Sequence, residues 1–269
     1  MSRLQFLFLA FLLGLFSIMG QVSVDTFLPA MPAVAKALGT DVGTVQVSLA
    51  ALFSGAAIGQ LIHGPLSDRF GRKPIILAAV ILYLVTALGA SFSSDVETLI
   101  AWRFVQGFST AAGRQLTAAS ARDLLDKERL GRMLSYVMVV AACSAIVAPI
   151  AGGYLTQAFG WRSVFHYQVG LAVLVIVLVS VYFTETLKEK DKDALSPAGL
   201  RRNYLEILGN PTFLGYGLVS AIMLAGLSAF LTTSSEIFIR GFGLGPAMFG
   251  YLFATVMVGH VLGAWAAAR

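Results

Sequence analysis

Asp25 is the only acid well inside the first six apolar segments of this 269-residue chain. An ionisable residue in such a segment is costly unless it faces a bundle interior or a wet cavity, so it marks a candidate site. Gln21 lies one turn earlier on nearly the same helical face. A second polar group begins Arg103-Phe104-Val105-Gln106-Gly107. At 100° per residue, Arg103, Gln106, Gly107, Thr110, Arg114 and Thr117 fall within about 80° of one another, a polar stripe on an otherwise apolar helix. The stripe is expected to line a cavity, with Arg114 alternatively snorkelling toward the cytosol. Asp25 also has two readings: a cavity carboxyl, or one near enough to the outer surface to reach water beside the break at Pro29. Glu236 is either a second coupling carboxylate or a partner of Arg240 one turn later. His63 and His260 fall in apolar segments without other ligand-type residues at suitable spacing, so packing is expected and no metal site. Cys143 stands alone, which leaves no disulfide framework.

These residues need membrane helices to position them. Hydrophobic residues make up 57% of the chain and charged residues 12%, with a mean hydropathy of +0.80. A soluble domain carries roughly 25% charged residues. Segments of about 20 apolar residues, enough to cross a bilayer, run from Leu4 to Pro29, Val45 to Gly64, Pro74 to Phe92 and Thr98 to Ala119. Four more run from Met133 to Gln157, Val164 to Phe183, Thr212 to Ile237 and Ala247 to Ala267. The first is too long for a signal-peptide core and a polytopic protein follows it. With the N-terminus inside, only Lys36, Arg162 and Arg240 of the 19 Lys and Arg fall outside, and Arg103 and Arg114 lie within a span. The rest are cytoplasmic, so the basic surplus reflects the positive-inside bias rather than nucleic-acid binding. Residues 188–210, with mixed charges, Ser196-Pro197 and a closing Asn210-Pro211, divide a six-helix bundle over 1–187 from a partial bundle over 211–269. A shift of 200 residues lays Leu52-Phe53 on Leu252-Phe253, Gly59 on Gly259 and Arg69 on Arg269, where the second helix of each bundle would fall.

Gly64-Pro65-Leu66-Ser67-Asp68-Arg69-Phe70-Gly71-Arg72-Lys73-Pro74 joins the second and third spans. Gly64 is expected to let backbones approach and Gly71 to turn the chain sharply. Asp68 would hold basic groups or face a helix N-terminus, and Arg69, Arg72 and Lys73 would anchor the loop in the cytosolic leaflet. The segment resembles the signature loop of the major facilitator superfamily, G-x-x-x-D-R-x-G-R-K/R, at every defined position. Arg103 to Gly107 is similar to the second motif of that superfamily, R-x-x-Q-G. Ser144 to Gly153, with Pro149, Gly152 and Gly153, resembles the motif associated with its antiporters, except that Ala148 stands where Gly is usual. With Val24 to Pro32, Gln46, Gly160-Trp161-Arg162 and Glu185-Thr186-Leu187, the chain resembles the Bcr/CflA branch of drug:proton antiporters.

The resemblance implies an all-α polytopic fold with a complete N-terminal six-helix bundle and the first two helices of a second. It implies proton-driven export of small drug-like molecules across the bacterial inner membrane by a monomer without a cofactor. Asp25 would be the proton- and substrate-linked carboxylate, with Arg103 and Arg114 completing the coupling group. Gln21, Gln106, Gly107, Thr110 and Thr117 would line the substrate cavity, and two arginines against one acid would favour neutral, zwitterionic or anionic compounds. A complete member has two six-helix halves; this sequence stops where the counterpart of the Gly64–Pro74 loop would begin, so a fragment is expected. A metabolite transporter of the same fold and a non-transporting scaffold are the alternatives, the scaffold having no need of a buried Arg-Gln face. No catalytic triad, metal cluster or nucleotide-binding loop suggests an enzyme.

Overall fold

A bilayer offers no partner for backbone N–H and C=O groups, so apolar segments of this length must satisfy them internally as helices. The computed structural model describes residues 2–267, with side chains throughout except at 198, 203 and 260–267. His260 and Arg269, singled out above, lie outside the described side chains. Among the described residues there are helices and no strands: α1 (Arg3–Ser17), α2 (Met19–Asp25), a 3-10 turn (Leu28–Ala30), α3 (Met31–Ala37), α4 (Val42–Phe70), α5 (Arg72–Ser91) and α6 (Val96–Leu124). There follow α7 (Lys127–Phe159), α8 (Arg162–Tyr182), α9 (Pro197–Leu208), α10 (Pro211–Ser235), a π-helical turn (Glu236–Gly241) and α11 (Pro246–Ala267). Aspartate caps start three of the long helices, with Asp41, Asp95 and Asp126 accepting from Thr44, Thr98 and Arg129 backbone N–H groups.

Helices α4, α5, α7, α8 and α10 are each long and apolar enough to cross a membrane, and α1 with α2–α3 forms one bent span, turning by 46°. The first span does not stop at Pro29. Pro29 and Pro32 occupy opening positions of the next helical turns, where a missing N–H is no loss. They therefore redirect the helix, which continues to Ala37.

The second span does not stop at Gly64 either. Helix α4 runs through Pro65 to Phe70, and Gly71 alone makes the turn, at φ 108°. Proline at 65 has no N–H for the carbonyl four residues earlier. That carbonyl, on Leu61, instead accepts from the Tyr204 hydroxyl of α9 at 2.6 Å. The segment expected to be a linker thus contains a helix, amphipathic in pattern, that is tied to α4.

The closest helix crossing is α4 on α6. A Cβ on Gly55 would strike the Phe104 carbonyl, one on Gly59 the Phe108 carbonyl, and one on Gly107 the Leu52 carbonyl. Gly55-x-x-x-Gly59 on one helix and Gly107 on the other allow backbone contact where the bilayer supplies no hydrophobic drive for association. His63 joins this packing, with Nδ1 2.7 Å from the Gly59 carbonyl and its ring against Phe108.

Two large apolar clusters fill the bundle. One, around Leu13, Phe16, Tyr83, Leu116 and Val179, lies toward the end carrying Gly71. The other, around Phe27, Met31, Leu49 and Phe165, includes Leu231, Phe249 and Phe253 and so joins α10 and α11 to the preceding helices. That junction sits at the end where α4 begins. There Gln46 donates to the Thr232 carbonyl at 2.9 Å, and the Tyr154 and Tyr251 hydroxyls meet at 2.8 Å.

Candidate transport site

The residues nearest Asp25 are arranged by the break after α2. Helix α2 ends at Asp25, and the chain then turns through Thr26 and Phe27 into the 3-10 segment. Asp25 is buried, at 6% exposure. The Gln21 side chain faces its carboxyl and also lies 3.4 Å from the Ala141 carbonyl of α7. No Lys, Arg or His among the described residues lies within 4 Å of the Asp25 carboxyl.

Arg103 is fully buried beside this segment. Its Nη1 donates to Gln106 Oε1 at 2.7 Å and its Nη2 to the Ser23 carbonyl at 3.0 Å. Gln106 Nε2 donates to Gln168 Oε1 at 2.9 Å, Gln168 Nε2 to Thr26 Oγ1 at 3.1 Å, and Thr26 Oγ1 to the Val22 carbonyl at 2.7 Å. The guanidinium carbon sits 4.6 Å from the Phe27 ring centre and 5.9 Å from that of Phe165, and Nε has no hydrogen-bond partner among the described residues. A buried guanidinium without a carboxylate is held here by carbonyl, amide and aromatic faces. The chain Arg103–Gln106–Gln168–Thr26 holds the Ser23 carbonyl before Asp25 and the Thr26 hydroxyl after it without pairing the Asp25 charge.

The stripe on α6 does not act as one surface. Gly107 is at the α4 crossing, which corrects the expectation that it lines a cavity: its missing side chain is filled by α4 backbone. Thr110 returns its hydroxyl to the Gly107 carbonyl at 2.9 Å and faces Gly20, while Thr117 donates to the Leu13 carbonyl of α1 at 3.1 Å. Both are packing contacts with the first span. Arg114 is exposed and lies about 16 Å along the axis from Arg103, at 1.5 Å per residue. It does not join Asp25 and Arg103.

The signature segment forms a separate network at the opposite end. Arg72 bridges Asp68 at 2.6 Å and Asp123, at the end of α6, at 3.0 Å. Arg72 is therefore buried in an ion triad, contrary to its expected place in the lipid leaflet. Glu185, beyond α8, accepts from the backbone N–H groups of Arg72 at 2.9 Å and Lys73 at 3.2 Å, capping α5. Its carboxylate fills the space where a Gly71 Cβ would sit. Burial alone would push the Glu185 carboxyl up, but the N–H groups of Leu187, Arg72, Lys73 and Thr186 outweigh it and hold it below the usual carboxylate range. Lys73 Nζ donates to the Ser180 carbonyl at 3.0 Å and Arg69 to that of Lys192 at 2.9 Å, so neither is simply a lipid anchor. Gly64 meets the Gln115 amide rather than a backbone.

In α7, a Cβ on Gly152 would strike the Thr26 backbone and one on Gly153 the Pro246 carbonyl, while Gly250 of α11 lies against the Pro149 carbonyl. The motif thus packs against the broken first span and α11 together. At the same end Arg162 donates to the Ser91 and Ser93 carbonyls at 2.9 and 3.0 Å, closing the C-terminus of α5. Glu236, half-buried, pairs with the exposed Arg240 at 3.5 Å.

The sequence reading missed Gln168, Ser23 and Asp123. Gln168 is the only amide side chain in α8, and Gly55-x-x-x-Gly59 is legible as a close-packing pattern; both signals were available. Nothing in sequence marks a Ser23 carbonyl as an arginine acceptor.

A multi-pass bundle of broken and glycine-crossed helices around a buried arginine-amide network is the architecture of a membrane transporter. The Major Facilitator Superfamily sequence model matches residues 6–269, and the chain belongs to that family. It is 36% identical over 241 residues to a bicyclomycin resistance protein homolog of Haemophilus influenzae, covering 90% of this chain and 61% of that protein. An MFS-type transporter of Bacillus subtilis, YdgK, is 33% identical over 247 residues, with 91% and 61% covered. Multidrug resistance protein D of Escherichia coli is 29% identical over 269 residues, covering 100% of this chain and 67% of that one. The chain thus spans about three-fifths of the length of the first two relatives. The crystal structure of a bacterial homolog of the lysosomal transporter Spinster, inward-facing and unoccupied, matches with a TM-score of 0.75 at 16% identity, covering 98% of this chain and 62% of that one. The latter likeness concerns the fold.

Proposed function

We propose that this chain carries the amino-terminal part of a proton-coupled exporter of small drug-like molecules in the bacterial inner membrane, with its N-terminus in the cytoplasm. The observation that carries it is Asp25: a buried carboxyl without a cation within 4 Å among the described residues, at a helix break whose flanks are gripped by Arg103 and Gln168. A bicyclomycin resistance homolog and multidrug resistance protein D among the relatives supply the direction and the substrate class.

In this reading residues 1–187 form one bundle, residues 188–210 the linker, and residues from 211 the start of the second bundle. Substrate and proton compete for Asp25. A proton taken from outside neutralises the carboxyl and favours release of substrate; its loss to the cytosol restores the charge and readies the site for the next molecule. The proton gradient is the energy source, no cofactor takes part, and the working unit is a monomer. With Arg114 remote, one arginine and one acid remain at the site, unpaired, so it is near neutral when Asp25 is ionised. Neutral and zwitterionic compounds fit it better than lipophilic cations.

The test is drug-dependent proton movement in everted membrane vesicles carrying the protein expressed in full from its gene. Asp25→Asn should abolish exchange while leaving the protein in the membrane. Undiminished exchange in that variant would remove Asp25 from the mechanism.

A further inference from the structure

Away from Asp25 and from the Arg72 triad, the first turns of α1 and α7 diverge around a cleft of about 320 Å³. Arg3 lines one wall and Arg129 and Arg132 the other, with Phe6, Leu7 and Tyr136 toward the membrane. The Phe6 and Tyr136 rings meet edge to face at 6.1 Å and close the inner end of the cleft. Its arginines are only partly neutralised. Arg132 pairs with Glu128 at 2.7 Å and Arg129 approaches Asp126 at 3.8 Å, while both guanidinium side chains keep more than half their surface exposed. No carboxylate among the described residues lies within 4 Å of Arg3. The α1 capping box between Ser2 and Gln5 fixes where Arg3 projects.

Below the arginines the surface turns apolar. Leu7 and Phe11 on α1, and Val139 on α7, are exposed. A basic mouth above an apolar wall, at the point where two spans enter the bilayer, has the polarity profile of a phospholipid: anionic phosphodiester at the mouth, acyl chains along the helices. A nucleic acid would not supply the apolar half.

We propose that the α1–α7 cleft binds the headgroup of an anionic phospholipid, with Arg3, Arg129 and Arg132 around its phosphodiester and Tyr136 at the glycerol level. The cleft is distinct from the Gly64–Pro74 segment and takes no part in the proton or substrate steps proposed above.

Native mass spectrometry of the purified protein in detergent, titrated with phosphatidylglycerol, phosphatidylcholine or inorganic phosphate, tests this. Phosphatidylglycerol should be retained well above phosphatidylcholine. Each arginine contributes about 1 kcal/mol near a membrane surface, so each Arg→Ala change should weaken retention by about fivefold. Arg→Lys at the same positions should largely keep it. Glu128→Gln, which frees Arg132, should strengthen it. All of these positions are exposed, so folding, checked by circular dichroism, should be unaffected. Equal retention of the two lipids, or of phosphatidylglycerol by wild type and the triple Arg→Ala variant, would overturn the proposal. So would displacement of the lipid by millimolar phosphate, which would make the cleft a site for a free anion.

Discussion

Glu185 holds the signature segment in place more directly than any of the arginines within it. Arg72 supplies the triad with Asp68 and Asp123, but Glu185 sets where α5 begins by accepting the Arg72 and Lys73 backbone N–H groups. Its carboxyl titrates below its unfolded value, so the stability it contributes is complete above the ordinary glutamate range, about pH 4.3, and disappears as pH falls through the depressed folded value. Glu185→Gln should therefore melt at a lower temperature than wild type at pH 7, and the gap should close on acidification. A gap that stays constant between pH 7 and pH 3 would mean the charge is not what matters. The residue types of this network were legible in the sequence, since every defined position of the signature segment is present. Its partners were not: Asp123 and Glu185 lie at or just beyond the ends of helices, 51 and 113 residues away, and only the fold brings them to Arg72.

At the level of elements, Pro65 shows how a helix breaker is absorbed. Its missing N–H leaves the Leu61 carbonyl free, and Tyr204 of α9 occupies it. The hydrogen bond should be worth about 1 kcal/mol. Tyr204→Phe should cost about that much in thermal unfolding in the natural background and close to nothing beside Pro65→Ala, which restores the intrahelical donor. Additive losses in the double variant would show that Tyr204 acts through some other contact. The spans themselves were readable because apolar length has one solution in a bilayer. Their ends were not, because Pro29, Pro32 and Pro65 have the composition of stops but stand where the helix can continue. Helix α9 was hidden because Arg201, Arg202 and the preceding charges outweigh its apolar residues.

Across the whole molecule, the contacts joining α10 and α11 to the earlier helices gather at the end where α4 begins: Gln46 with Thr232, Met31 with Ser235, Gly153 with Pro246, Gly250 with Pro149. Among the described residues this end is held by glycine packing and hydrogen bonds rather than by ion pairs. Gly250→Val should wedge α11 from α7 and shift the balance toward opening by about tenfold or more. The readout is a cysteine placed at Met31, which is fully buried, in a Cys143→Ser background, labelled by a membrane-impermeant thiol reagent. Faster labelling with Gly250→Val is expected, and an unchanged rate would place the closure elsewhere. The bundle and its polar helix were visible from sequence; that the Pro149–Gly153 segment touches the broken first span and α11 at once was not, because Gly152 and Gly153 point to different neighbours.

The polar face of α6 has a consequence for how the protein is made. Arg103, Gln106, Arg114 and the hydroxyl residues leave it outside the set of helices apolar enough to cross a membrane alone. A central arginine by itself opposes partitioning by about 3 kcal/mol. Such a helix enters lipid only in company, and its glycine-to-backbone fit with α4, which leaves the ribosome first, supplies the company. Weakening that crossing would act during synthesis, before the finished bundle exists.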